Sequence, residues 1–242
     1  MLGQLHKWWW KVFCVILISY TFIYGLLIEV PRLEVLNETI RNLFFHVPCW
    51  FAMLLLLLVS LVYSIRFLSG NNILNDIIAA ETARVAVFFG ILGFLTGMLW
   101  GEFTWGQYSG SLTWLLDDSK ILGAFIGLLI YGGYFVLRGS IDDEEKRAKV
   151  SAVFSIFAFV LLNVFIMVIP RLTDSLHPNN GGNAGFVAYD IDNTLRMVFY
   201  PAVFGYFLLG WWLASVYIRL KIIHYKTHNI FIHDKTSLDS IA

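Results

Sequence analysis

Charge is scarce in this chain. Lys, Arg, Asp and Glu make up 14% of its 242 residues, where soluble domains carry nearer a quarter. A small core inside a charged, solvated shell is therefore excluded as its main form. Seventeen Lys and Arg balance seventeen Asp and Glu, which leaves no basic surplus for a phosphate backbone and argues against nucleic acid as a partner. There are only two cysteines, Cys14 in the first apolar block and Cys49 near the start of the second. Neither a disulfide framework nor a zinc site follows from that placing. No Walker A loop, serine–histidine–acid order or HExxH helix is present, so an ATP-driven step would have to come from another chain. After Lys11 the apolar run reaches Ile28 without a small-residue cleavage pattern. The N-terminal block is expected to be a retained anchor.

What the chain has in abundance is apolar length: 58% of its residues are hydrophobic and the mean hydropathy is +0.71. A helix that crosses hydrocarbon needs about 20 such residues. Six blocks meet this approximately, at 12–29, 48–66, 85–101, 121–137, 150–169 and 197–218. The fold class is therefore all-α: a polytopic membrane protein forming one six-helix bundle. Proline marks the edges, with Pro31 after the first block, Pro48 opening the second and Pro170 closing the fifth. Gly90, Gly93 and Gly97 in the third block are expected to allow close helix packing.

Six spans put both termini on one side. That side carries twelve of the Lys and Arg residues, and the opposite side carries Arg32, Arg41, Lys120, Arg171 and Arg196. The positive-inside rule makes the richer side cytoplasmic, so loops at about 30–47, 102–120 and 170–196 face out. Asp142, Asp143, Glu144 and Glu145 followed by Lys146 and Arg147 read as a solvated cytoplasmic turn. Glu29, Glu102 and Asp118 fall at block edges, so no proton relay or ion pathway is expected.

On this topology His6, His224, His228 and His233 lie at cytoplasmic ends, where solvated surface positions are the default. His46 and His177 alone lie on the outer side, each near the membrane boundary. Two imidazoles at one depth could ligate a single metal from opposite faces; the alternative is two unrelated interfacial histidines with local hydrogen bonds. Between them in sequence runs WGEFTWGQYSGSLTW, residues 100–114, with Trp100, Trp105, Trp114, Phe103 and Tyr108. An interfacial aromatic belt is one reading. Glycine directly after Trp100 and Trp105 favours another, a tight turn that lets a flat ligand approach the backbone. A large planar apolar ligand with two axial histidine nitrogens describes haem. Arg41, Lys120, Arg171 and Arg196 could meet its propionates, or serve as interface anchors.

These residues resemble a family. RNLFFHVP at 41–48 looks like the Arg-x-x-x-x-His-Val-Pro segment of CcmC, the haem-handling membrane component of cytochrome c maturation. CcmC sits in a wider group, with CcmF and CcsA, that bears a tryptophan-rich outer loop. GMLWGEFTWG at 97–106, IYGGY at 130–134, NVFI at 163–166 and LHP at 176–178 resemble further family segments in order. The resemblance implies six spans, an external haem site in the loop 100–120, and axial ligands matching His46 and His177. It implies b-type, non-covalent, transient haem and a place in the bacterial inner membrane. It also implies transfer of haem to a periplasmic chaperone, CcmE, in company with the ABC-transporter subunits CcmA and CcmB and the small subunit CcmD. The family's core motif, Trp-Gly-Thr-Trp-Trp-x-Trp-Asp-Ala-Arg-Leu-Thr, is replaced here by the longer WGQYSGSLTWLLDDSKI at 105–121. Two other readings remain open from the residues: a membrane b-type cytochrome that carries electrons, and a non-catalytic transporter subunit with a degenerate haem site.

Overall fold

The structure, a computed structural model, describes residues 7–32, 36–106, 117–173, 175, 177 and 191–227. Six helices are long and apolar enough to cross a membrane, and no strand occurs among the described residues. The polytopic all-α architecture is borne out. Helix α1 is Trp9–Leu27, α2 is Leu43–Gly70, α3 is Ile73–Gly101, α4 is Ser119–Gly139, α5 is Glu144–Asn163 and α6 is Asn193–Thr227. A 3-10 turn, Asn37–Asn42, feeds α2, and a π turn, Glu102–Gly106, prolongs α3. α5 runs on through a π segment, Val164–Val168, into a last turn, Ile169–Leu172.

Helix α2 is the centre of the bundle, packed against α3, α5 and α6, while α1 leans on α6 and α4 on α5. Trp10 near the start of α1 meets Trp212 in the second half of α6, so the two terminal helices run antiparallel. The core joins Met53, Leu56 and Leu57 of α2 to Phe89 of α3, Tyr131 and Tyr134 of α4 and Leu162 of α5. Large apolar side chains cover the outside: Leu99, Val136 and Phe157 are each more than half exposed. A water-facing surface of that kind would aggregate. Against lipid it costs nothing, and the helices are held together by close packing.

The helices extend beyond the blocks read from hydropathy. Helix α3 starts at Ile73, twelve residues before the predicted 85, because Asn72 caps it by accepting a hydrogen bond from the Leu74 N–H at 2.8 Å. Its early turns bury two acids that hydropathy left between spans, Asp76 and Glu81. Asp76 takes a bidentate pair from Arg138 in the last turn of α4. Each charge also sits at the helix end whose dipole favours it. Glu81 pairs with Arg84 at 3.0 Å.

Two of the three prolines expected at span edges lie within helical backbone, whereas Pro31 follows α1 outside any helix. Pro48 is the sixth residue of α2, and the turn before it is tied to α3 by Asn42 Nδ2 donating to the Thr96 carbonyl at 3.1 Å. Pro170 follows the π segment. Lacking an N–H, it leaves the Ile166 carbonyl without an i+4 donor, and a widened turn accommodates that loss. The same widening brings the Phe165 carbonyl within 2.2 Å of where a Cβ on Gly123 would stand, so α4 can pass there only with glycine.

Candidate functional site

His46 is carried on the first turns of α2, buried and facing α3. Its Nδ1 lies 2.9 Å from the Gly93 carbonyl and 3.3 Å from Thr96 Oγ1. A carbonyl can only accept, so Nδ1 carries the proton and the lone pair is on Nε2. That is the arrangement by which a second partner fixes the tautomer of a metal-binding imidazole. The ring lies flat on α3 because residue 97 is glycine: a Cβ there would stand 2.5 Å from His46 Cε1. One turn earlier, Gly93 makes the same room for Trp50, whose Nε1 would be 2.9 Å from an added Cβ. His46 and Trp50 are four residues apart on α2, and Gly93 and Gly97 four apart on α3, so large groups of one helix seat in gaps of the other.

His177 reaches the same place from a different part of the chain. It follows the last turn of α5, in non-helical backbone. The two imidazole centroids are 6.2 Å apart with planes at 46°. Two imidazoles on opposite sides of one metal, each with a bond of about 2.0 Å and a further 1.1 Å or so from nitrogen to ring centre, would put the centroids roughly 6.2 Å apart. The observed separation fits that requirement.

Both histidines line a cavity of about 500 Å³, within the range of about 300–1,000 Å³ that small-molecule and cofactor sites occupy. Its walls are mainly apolar: Trp50 and Phe51 from α2, Phe94, Met98 and Trp100 from α3, and Ile166 and Met167 from the π segment of α5. Trp105 closes it from the π turn after α3. Trp100 is fixed at both ends, its indole N–H donating to Thr39 Oγ1 at 3.2 Å and its ring edge-on to His46 with centroids 5.8 Å apart. Charge enters the lining through Asp118, Lys120 and Arg171, with Lys120 close to both others.

Among the residues singled out from sequence, His46, His177, Trp100, Trp105, Lys120 and Arg171 therefore share one cavity. Tyr108 and Trp114 lie outside the described residues. Arg41 stands apart from the cavity: it donates to the Gly25 and Ile28 carbonyls at 3.0 and 2.7 Å and pairs with Glu38 at 2.8 Å. It thereby satisfies carbonyls that the end of α1 leaves open. Arg196 is not among the lining residues either. The expected tight turn after Trp100 is also absent, since Trp100 and Gly101 are still helical and Gly106 ends a π turn. Sequence reasoning missed Trp50, whose signal was its spacing of four from His46.

Comparison with known proteins gives one consistent result. The family model described as "CcmC: Heme exporter protein C" matches residues 1–232. A protein named Heme exporter protein C from Bradyrhizobium diazoefficiens is 30% identical over 129 residues, 53% of this chain and 46% of its own length. That alignment spans about half of the relative. One of the same name from Paracoccus denitrificans is 24% identical over 186 residues, 76% of this chain and 73% of the relative. The Escherichia coli K12 protein of that name is 20% identical over 232 residues, 92% of this chain and 87% of its own.

Proposed function

The chain belongs to the CcmC family, described as Heme exporter protein C, and on that premise we propose that it holds haem at the periplasmic face of the inner membrane and hands it to the chaperone CcmE. The observation that carries the reading is the convergence of His46 and His177, 6.2 Å between ring centres, on one aromatic cavity.

Haem is cargo here, and each part of the site has a task toward it. His46 offers Nε2 from a rigid helix, its other nitrogen held by the Gly93 carbonyl. His177 offers a second imidazole from the segment beyond α5. Trp50, Trp100, Phe51 and Phe94 supply flat apolar walls for a porphyrin, and Lys120 and Arg171 in the lining suit two carboxylates. Two neutral imidazoles grip iron well, yet the second stands on non-helical backbone, so the grip can be undone for delivery. CcmA, CcmB and CcmD, the companions implied by family membership, would supply the energy-coupled step for which this chain has no nucleotide motif. Aromatic lining by Trp50, Trp100 and Trp105 favours this reading over a degenerate, empty site, despite the changed tryptophan motif. Against the electron-carrier reading, the remaining described histidine, His224, lies far along α6 from this cavity, so no histidine pair at a second depth is available among the described residues.

The test is the absorbance spectrum of protein purified in mild detergent. The parent should carry low-spin, six-coordinate haem, and His46→Ala and His177→Ala should each lose that signature. A parent without any haem absorbance, or variants that both keep the low-spin bands, would end the reading.

A further inference from the structure

His46 and His177 are held in very different ways, and the difference points to two residues outside the cavity's ligand set. His46 is built into a helix. His177 has no helix to hold it: α5 ends at Leu172, and Thr173 turns extended, with φ −130° and ψ 165°. Ser175 and His177 are tied to the start of α4 by a short relay of hydrogen bonds. The carboxylate of Asp118, buried in the cavity lining, caps α4 by accepting from the N–H groups of Lys120 at 2.9 Å and Ile121 at 3.1 Å through Oδ1. Its other oxygen, Oδ2, accepts from Ser175 Oγ at 2.8 Å. Ser175 Oγ in turn accepts from the His177 N–H at 3.1 Å.

We infer that Ser175 is a positioning residue, which through the Asp118 cap docks the His177 backbone onto α4 and so sets the second imidazole opposite the first. One hydroxyl suits this position because it donates to the carboxylate and accepts from the amide at once. An alanine can do neither. The docking itself needs no bound ligand, but its consequence for iron rests on the haem reading above. It makes the two ligands unequal. His46 stays where α2 and α3 put it, while the position of His177 depends in part on one hydroxyl bond.

The experiment uses full-length protein in detergent with two independent measurements. In haem-free protein, Ser175→Ala should speed hydrogen exchange at the His177 amide about fivefold, the effect of losing one ordinary hydrogen bond; Ser175→Thr, which keeps the hydroxyl, should restore the parental rate. In haem-loaded protein, Ser175→Ala should convert low-spin to high-spin iron while binding is kept through His46, and added imidazole should bring the low-spin bands back. Parental exchange and a parental spectrum in Ser175→Ala, or a Ser175→Thr variant indistinguishable from it, would overturn the assignment. If the parent takes up no haem, the functional reading has failed, and the exchange measurement still decides the docking role of Ser175.

Discussion

Gly97→Ala adds one methyl group, and its effect can be worked out from the packing of His46. The new Cβ would stand 2.5 Å from Cε1 and 3.1 Å from Nδ1, whereas carbon atoms rest at about 3.5 Å or more. The imidazole must therefore retreat by about 1 Å. Nδ1 now sits 2.9 Å from the Gly93 carbonyl, and a shift of that size takes it beyond hydrogen-bonding range, a loss of about 1 kcal/mol. Overpacking adds about 1–3 kcal/mol, and the better helix propensity of alanine returns about 1 kcal/mol. Folding is thus only modestly weakened. Metal ligation is less forgiving, because a nitrogen must stand within about 0.2 Å of its bonding distance. We expect haem affinity to fall ten- to a hundredfold, about 1.4–2.8 kcal/mol, with a melting temperature about 2–12 °C below the parent for a net loss of about 1–3 kcal/mol. Haem titration followed by absorbance measures the first and thermal unfolding in detergent the second. Parental affinity with a parental low-spin spectrum would refute the reasoning, since it would mean the ring does not lie against residue 97.

Three further outcomes are expected. Lys120→Ala and Arg171→Ala should each weaken haem binding severalfold while leaving the spectrum low-spin, whereas Arg41→Ala should leave binding unchanged and lower thermal stability, because Arg41 ties down the end of α1; equal effects of Arg41 and Lys120 on haem titration would contradict this division. Arg138→Gln strands the buried Asp76 carboxylate and should cost about 3–5 kcal/mol, much of it recovered in the double variant with Asp76→Asn; a double variant no more stable than the single, by thermal unfolding, would exclude the pairing. For orientation, Asp117→Cys should react with a membrane-impermeant maleimide in intact cells and Asp142→Cys only after permeabilisation, with little background from the buried Cys14 and Cys49; the reverse pattern would invert the topology and move the site to the cytoplasm.

The six helices were legible in the sequence because lipid imposes a crude requirement, about 20 apolar residues at a stretch, that few polar residues interrupt. Their ends were not, because helix termini here are fixed by particular side chains. Asn72 starts α3 early, and Asn71, at φ 50°, makes the sharp turn out of α2. Hydropathy reads neither. It also placed Asp76 and Glu81 in a connection, since a charged residue lowers the score whether or not it is neutralised, and the partner of Asp76 is 62 positions away. In the site, His46 and His177 were legible as the outer histidines. Gly93 and Gly97 were legible as sites of close packing, but Trp50, which seats against Gly93, was hidden in plain apolar sequence, where only its spacing of four from His46 gave a sign. The Asp118–Ser175–His177 relay had no sign at all, because it exists only once the ends of α4 and α5 are side by side.

The buried polarity of the bundle is divided between two ends for a physical reason. Near the start of α3 and the end of α4, Asp76 and Arg138 are both charged and both buried. They are tolerable in a membrane only because each neutralises the other and uses up its hydrogen bonds. A ligand site cannot be built that way, since a group that has spent its electron pairs has none to offer. The cavity end of the bundle buries an uncharged ligand group on α2, beside the Asp118 carboxylate that is spent on capping α4. His46 is anchored through one nitrogen to a backbone carbonyl and keeps the lone pair of the other, while Lys120, Arg171 and Asp118 bring charge to the cavity lining. Fully paired charge closes the Asp76–Arg138 end of the bundle, and a half-committed imidazole leaves the cavity end able to take a ligand.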